Sequence, residues 1–216
     1  MVTTRRTQGE RTAATRRVLL DATVACLVEH GYHGTTTTRV VERAGTSRGA
    51  QVHHFPTKND LVLAAVRHLA DKQTEAFMTS GIAALQASED WVGEALDLIW
   101  EVHQGPLFDA SIELWVAART DPKLREQVAA FERRVNETIV ELCRTFIGDR
   151  ADDRQVLDDL SVVMETVRGL RLLAFVHPAE QGSLNRRWER SKTRLRRMLT
   201  NWPSDAPLQR PGDASA

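Results

Sequence analysis

The segment GTSRGAQVHHF, residues 45–55, contains the residues whose types and spacing most readily suggest chemistry. Its first five residues match G-x-S-x-G, the turn that presents a nucleophilic serine in many hydrolases, and His53 and His54 follow as candidate bases. Such a turn needs a strand before the serine and a helix after it. The preceding TTTRVV is β-branched, but VVERAG continues with helical spacing, and the chain shows no other convincing strand. Catalysis by Ser47 is therefore the weaker interpretation of this segment.

The same segment can instead position side chains against nucleic acid. Thr36 can cap a short helix that ends at Gly45, and Ser47 can cap a second short helix that reaches His54 or Phe55. Two short helices joined by a turn that contains glycine form a helix-turn-helix, whose second helix enters the major groove of DNA. This interpretation accounts for the glycines and the serine together.

Three residues of this region suit contact with a phosphate backbone. Arg48 and Lys58 carry positive charge, and Gly49 has no side chain that would keep the protein backbone away from DNA.

The charged residues are distributed unevenly along the chain, with the positive excess in its N-terminal part. Residues 1–60 contain nine Lys and Arg against five Asp and Glu, whereas residues 61–216 contain twenty against twenty-four. The zero formal charge of the protein thus conceals a basic N-terminal part.

Composition limits the class of protein. The 216 residues are 42% hydrophobic and 27% charged, as is usual in soluble domains, and no apolar run approaches the roughly 20 residues that span a bilayer. No apolar stretch follows the cationic N-terminus, so we expect no secretory signal and a cytoplasmic protein without membrane partners. Cys26 and Cys143 lie far apart in apolar periodic segments and are expected to be reduced thiols.

The pattern of apolar residues is helical throughout, which predicts an all-α fold. We expect an N-terminal three-helix DNA-binding domain, which contains the helix-turn-helix, followed by a larger helical domain. The predicted boundaries are a flexible arm at 1–11, the helix-turn-helix domain at 12–57, the larger domain at 58–202 and a disordered tail at 203–216.

The segment LLDATVACLVEHGYHGTTTTRVVERAGTSRGAQVHHFPTKNDL resembles the N-terminal domain of the tetracycline-repressor (TetR) family of bacterial transcription regulators. Shared features include the helix that ends at Gly31-Tyr32, the threonines, Ala44-Gly45, and Lys58 followed by Leu61. The resemblance implies that the first three helices bind operator DNA. It also implies that the C-terminal helices hold a small-molecule pocket and a dimer interface, and that ligand binding releases the operator.

Carried over to this chain, the resemblance predicts a set of DNA contacts on and around the second short helix. These residues are Thr36, Thr46, Ser47, Arg48, Gly49, Gln51, Val52, His53, His54 and Lys58. Two of them depart from the family. Val52 stands where an aromatic residue, most often tyrosine, is usual, and valine could touch a thymine methyl group. Gln51 replaces a commonly apolar residue and could read an adenine if it faces the groove.

The middle helices supply candidates for an effector pocket, because ligand pockets are mostly apolar with a few polar groups. The candidates are Trp100, His103, Phe108, Trp115, Phe131 and Met164. Ordinary core packing explains any one of them equally well. We expect no cofactor and no metal site. Cys26, His30 and His33 have the spacing C-x3-H-x2-H, but the cysteine falls on a core stripe and no fourth ligand lies nearby.

The last two helices carry apolar stripes that exceed what one edge of a helical bundle buries, Val156 to Ala174 and Leu184 to Trp202. Pairing with the same helices of a second subunit would cover them, as the resemblance also implies. The final helix is in addition rich in arginine. A basic face exposed to solvent and a second nucleic-acid patch both account for that composition.

The sequence thus predicts a homodimeric regulator that binds a pseudo-palindromic operator and is released by a small apolar or amphipathic effector. Two alternatives remain open at this point. One is a helical small-molecule-binding protein without DNA function, and the other is a serine hydrolase that uses Ser47.

Overall fold

The computed structural model describes residues 7–76, 78, 82–177 and 180–200, and these residues form an all-α protein with no strand among them. The predicted tail 203–216 and Trp202 lie outside the described residues. The described residues also include a short 3-10 helix, Gly148–Asp152. The α-helices are α1 Gln8–Gly34, α2 Thr37–Ala44, α3 Arg48–His54, α4 Lys58–Ala76, α5 Ile82–Ala87, α6 Trp91–Val102, α7 Pro106–Ala118, α8 Pro122–Ile147, α9 Arg154–Val176 and α10 Gln181–Thr200.

Helix α1 begins earlier than the sequence pattern predicts. The Thr7 hydroxyl accepts from the backbone N–H of Glu10, and the Glu10 carboxylate accepts from the N–H of Thr7. This reciprocal capping satisfies two backbone donors that the helix cannot satisfy itself. Residues 8–11, predicted as part of a flexible arm, are therefore helical, and residues 1–6 of the arm lie outside the described part of the chain.

The chain folds into two compact units, one within Met1–Glu75 and Pro106–Phe131 and the other within Ala76–Gly105 and Glu132–Ala216. The first unit extends beyond residue 57, where the sequence predicted a domain boundary. The reason is that Leu61 and Ala65 of α4 pack in the same core as Leu19 and Val40. The limits of the functional domains stay a prediction.

The core of the first unit holds the two short helices in place. Leu19, Leu20 and Cys26 of α1 pack with Val40 of α2 and Phe55 at the end of α3, and each of these side chains is at least 96% buried. Each short helix makes only about two turns, and this shared core anchors both of them to α1. The positions of α2 and α3 thus depend on α1.

The second unit is built on α6, α9 and α10. Trp100 of α6 and Trp188 of α10 stack with ring centroids 5.0 Å apart and planes 4° from parallel. Val163 and Val167 of α9 complete the same cluster. Burying such large side chains stabilises this three-helix packing by about 2 kcal/mol for each residue. No helix among the described residues is both long and apolar enough to cross a membrane.

Candidate nucleic-acid interface

The turn between α2 and α3 is defined by its two caps. Gly45 adopts the left-handed conformation, with φ 59° and ψ 35°, and the N–H of Thr46 donates to the carbonyl of Val41 at 3.2 Å. The hydroxyl of Ser47 then accepts from the N–H of Ala50 at 3.1 Å and begins α3. The Thr36 hydroxyl caps α2 in the same way. These caps confirm the predicted helix-turn-helix, and a helix, rather than a strand, precedes Ser47.

Four residues form the outer face of α3: Arg48, Gly49, Val52 and His53 are all exposed. A methyl group added at Gly49 would meet nothing closer than the Ser47 hydroxyl, at 3.8 Å. The packing of the protein therefore does not require a glycine at position 49. Close approach of the backbone of a bound partner to α3 would require one. Val52 is 47% exposed, so its methyl groups can contact an apolar group such as a thymine methyl.

Gln51 does not belong to that face. It is 99% buried, and its side-chain amide donates to the Phe55 carbonyl at 2.6 Å. The bond satisfies one of the carbonyls that remain free at the end of a helix. Gln51 could read an adenine only if it faced the groove, and the structure does not meet this condition, because its hydrogen-bonding group points into the protein. Gln51, which stands where the family commonly has an apolar residue, therefore caps the C-terminus of α3 with a buried side-chain hydrogen bond.

Lys58 also has an internal partner. Its ammonium donates to the carbonyl of Tyr32 at 2.6 Å and lies 4.1 Å from the centroid of the Tyr32 ring. Burial lowers the pKa of Lys58. The structure thus assigns Lys58 to the junction of α1 and α4, and a contact with phosphate would require the ammonium to leave Tyr32.

The histidines at the end of α3 have different surroundings. His53 is exposed, while His54 is half-buried, and the two rings meet edge to face with centroids 5.3 Å apart. Burial is the first cause that lowers the pKa of His54, and the nearby His53 and Arg16 add to it. His54 therefore packs partly within the protein, whereas His53 is exposed on the outer face of α3.

The two threonines of the predicted set also differ in exposure. Thr46 is half-buried in the turn, and Thr36 is exposed.

Sequence reasoning missed a polar network behind the helix-turn-helix. The carboxylate of Glu113 on α7 accepts from the Tyr32 N–H at 2.7 Å. The Tyr32 hydroxyl donates to Asn59, whose amide donates in turn to Asp121 at 3.2 Å. The only signal in the sequence is Gly31, which has φ 66° and ψ 177° and makes room for Glu113.

The structure distributes the six pocket candidates over both units. Trp100, His103 and Met164 belong to the second unit, and Phe108, Trp115 and Phe131 to the first. Trp100, Phe108 and Phe131 are at least 95% buried, as is typical of core residues. A cavity of about 380 Å³ in the first unit is lined by other side chains. Contact of the six residues with an effector stays a prediction.

Cys26 and His30 do not share a metal-binding arrangement. The cysteine is 99% buried in the core of the first unit, whereas His30 lies beside Glu29, with Nε2 3.7 Å from Oε1. Among the described residues, no group of three His, Cys, Asp or Glu side chains is placed to hold a metal ion. Burial raises the pKa of the Cys143 thiol to about 11, which favours its protonated form.

Comparison with known proteins agrees with this geometry. Residues 19–65 match the family described as bacterial regulatory proteins, tetR family. The HTH-type transcriptional regulator CymR of Pseudomonas putida is 33% identical over 195 residues, which cover 90% of each chain. The chain belongs to the TetR family. It is a transcription regulator of the helix-turn-helix type and not a hydrolase, and Ser47 is a helix cap.

Other TetR-family proteins are similar over most of the chain. The HTH-type transcriptional repressor AcnR of Corynebacterium diphtheriae is 29% identical over 153 residues, 70% of this chain and 76% of AcnR. The crystal structure of the multidrug binding protein EbrR complexed with ethidium has the same fold, with a TM-score of 0.60 and 22% identity. The match covers 85% of this chain and 97% of EbrR.

Proposed function

We propose that this TetR-family protein is a cytoplasmic, homodimeric repressor that reads a pseudo-palindromic operator with α3 and is released by a small-molecule effector. The observation that carries the proposal is the division of α3 into two faces. Gln51 and Phe55 are buried and hold the helix, while Arg48, Gly49, Val52 and His53 are presented outward. An α-helix fits the major groove, where the side chains of such an outward face meet base edges and phosphates.

The outward residues have different roles in this proposal. Arg48 and His53 contact phosphates, and the exposed N-cap hydroxyls of Thr36 and Ser47 lie where the backbone of DNA would pass. Val52 contacts bases, and Gly49 allows the helix to approach them. Two copies related by a two-fold axis would place their α3 helices in successive major grooves, about 34 to 36 Å apart.

The second unit supplies the support for dimerisation. Val162, Leu173 and Val176 of α9 are 43%, 36% and 71% exposed and lie on one face of that helix. Gly169 lies on the same face, and a methyl group added there would meet nothing within 4 Å. A second α9 could therefore pack closely on this face and remove its apolar side chains from water. The apolar stripe of α10, which the sequence also predicted to pair with a second subunit, is already buried within the second unit.

Release by an effector is inferred from the polar and aromatic residues of the second unit. His103 is neutral at physiological pH, because burial, together with Arg168 and Arg171, lowers its pKa to about 4. Its Nδ1 donates to the carbonyl of Ile99 at 2.7 Å, so Nε2 is an acceptor. EbrR is a fold relative that binds ethidium, which supports an apolar or amphipathic effector for this chain. An effector releases DNA only to the extent that it binds the released conformation more tightly.

Selection of genomic fragments by the purified protein tests the proposal. We expect enrichment of one pseudo-palindrome, and binding to it should exceed binding to a shuffled duplex at 150 mM salt. Arg48→Ala should weaken binding to both duplexes and reduce the slope of log K against log salt concentration by about 1. Arg119→Ala is the matched control, since Arg119 is exposed but lies after α7. Equal affinity for selected and shuffled duplexes would contradict the proposal.

A further inference from the structure

Helix α10 has an outer face that consists of arginine. The helix contains seven basic residues and one acidic residue, Glu189. At 100° per residue, five of the basic residues lie within an arc of about 100°, opposite the buried Trp188 and Leu195. We call these five the arginine face, and all of them are exposed: Arg186, Arg187, Arg190, Arg194 and Arg197.

The remaining two basic residues of α10 show the contrast. The ammonium of Lys192 contacts the carboxylate of Asp97, which also accepts from the Trp188 indole N–H at 3.2 Å. Arg196 pairs with Asp90, with Nε 2.8 Å from Oδ1. Lys192 and Arg196 therefore hold α10 to the start and middle of α6. None of the five residues of the arginine face forms an ion pair with a residue that the structure describes.

We propose that the arginine face is a second nucleic-acid surface, which binds the phosphate backbone without reading sequence. From Arg186 to Arg197 the helix rises about 16 Å, roughly the length of five base pairs at 3.4 Å each. Guanidinium groups spaced along such a line can each contact a phosphate, often through two hydrogen bonds. The surface belongs to α10 of the second unit, whereas the operator-reading face belongs to α3 of the first.

The composition of the face favours a polyanion over the other partners of a basic helix. A stable protein interface has an apolar centre, and the arc of the arginine face contains no apolar residue. A helix that binds a membrane must turn its apolar side to the lipid, whereas the apolar side of α10 is buried with Trp100 and Val163. A second copy of the same face would be repelled by like charge. Nucleic acid requires only the charge, because its binding releases counterions.

The test measures binding of the full chain to a fluorescent 20-base-pair duplex of random sequence. All variants also carry Val52→Glu, which removes operator reading, so failure of the operator proposal does not affect the result. The face variant changes Arg186, Arg190, Arg194 and Arg197 to glutamine. The control variant makes the same charge change at exposed residues elsewhere, Arg119, Arg133, Arg134 and Arg154.

The face variant should reduce the magnitude of the salt slope by about 3 and weaken binding at 50 mM salt at least tenfold, and the control should change the slope by less than about 1. Equal losses in both variants would overturn the proposal, because net charge rather than the face would then bind. It would also be overturned if polyglutamate or anionic vesicles competed as well as the duplex, or if the face variant changed the sedimenting mass.

A second measurement avoids substitution. Arginine-specific chemical modification of the otherwise unchanged chain, followed by mass spectrometry, should show that the duplex protects Arg190 and Arg194 at least threefold more than Arg154. Equal protection of all three would overturn the proposal even if the face variant failed to fold.

Discussion

The carboxylate of Glu113 accepts a hydrogen bond of 2.7 Å from the backbone N–H of Tyr32, at the residue that follows the bend in α1. The bend is Gly31, whose φ of 66° and ψ of 177° fall in a region that is essentially restricted to glycine. A side chain of α7 thus holds the last turn of α1. The carbonyl of Tyr32, in the same turn, accepts a hydrogen bond from the Lys58 ammonium. This junction ties the end of α1 to α4 and α7 just before α2 begins.

Gly31→Ala should destabilise the protein by about 2 to 3 kcal/mol, since it adds backbone strain and places a methyl group 2.7 Å from the Glu113 carboxylate. Urea unfolding measures the loss. In a Glu113→Ala background, which by itself loses the bond to Tyr32, the additional cost of Gly31→Ala should fall to the part due to φ. Gly9→Ala is the control, because nothing lies within 4 Å of that position, and it should not destabilise. Equal stability of Gly31→Ala and wild type would show that the bend is unnecessary.

Gln51→Ala should lower the free energy of unfolding by about 2 kcal/mol, because it leaves the buried Phe55 carbonyl without its 2.6 Å bond. Its preference among operator sequences should stay unchanged. Val52→Ala should do the opposite, with unchanged stability and altered preference at one base pair of each half-site. Urea unfolding and binding to a library of operator variants separate the two effects. A changed preference in a stably folded Gln51→Ala protein would contradict the inward position of Gln51.

Acid should destabilise the second unit through His103. Its pKa in the folded protein is about 4, below the usual value of 6.5, so the neutral form is favoured in the folded state. The stability that this contributes is complete above pH 6.5 and is lost as the pH falls towards 4, by up to about 3 kcal/mol. His103→Asn can keep the bond to Ile99 and should flatten this dependence. Urea unfolding of both proteins at pH 7.5, 6 and 5 measures the difference, and parallel curves would contradict it.

Leu173→Glu should weaken dimerisation at least tenfold, because it places a charge on the exposed apolar face of α9. Sedimentation velocity over a range of concentrations measures the monomer fraction. Val116→Glu is the control, since Val116 is 62% exposed on α7 and lies outside the proposed interface. If both variants sediment as the wild type does, α9 does not form the interface.

The helices and their caps could be predicted from the sequence, because local rules determine them. Thr36 and Ser47 each cap the helix that the pattern assigns to them. The start of α1 at Gln8 was missed because its first turns carry no apolar stripe. The short α5 was missed because its six residues are too few to show a period.

Residue roles at the candidate interface were harder to predict. Gln51 lies within α3 and Lys58 soon after it, and the polarity of both side chains by itself favours an exposed position. Their partners are backbone carbonyls, at Phe55 and Tyr32, and a backbone carbonyl leaves no trace in a sequence pattern. The bond from Tyr32 to Glu113 joins residues 81 positions apart, a distance over which spacing rules carry no information.

Gln51 and Val52 are adjacent but point in opposite directions, Gln51 into the core and Val52 towards solvent. Stability of the fold and contact with a partner therefore fall to different residues of α3. If Val52 contacts bases as proposed, a substitution there will change the DNA sequence that is recognised without disturbing the fold, because the fold depends on the buried Gln51. Duplicated copies of such a gene could therefore diverge in their target sites one residue at a time, with no compensating change in the core. The same separation makes α3 a convenient element for engineering new operator specificities.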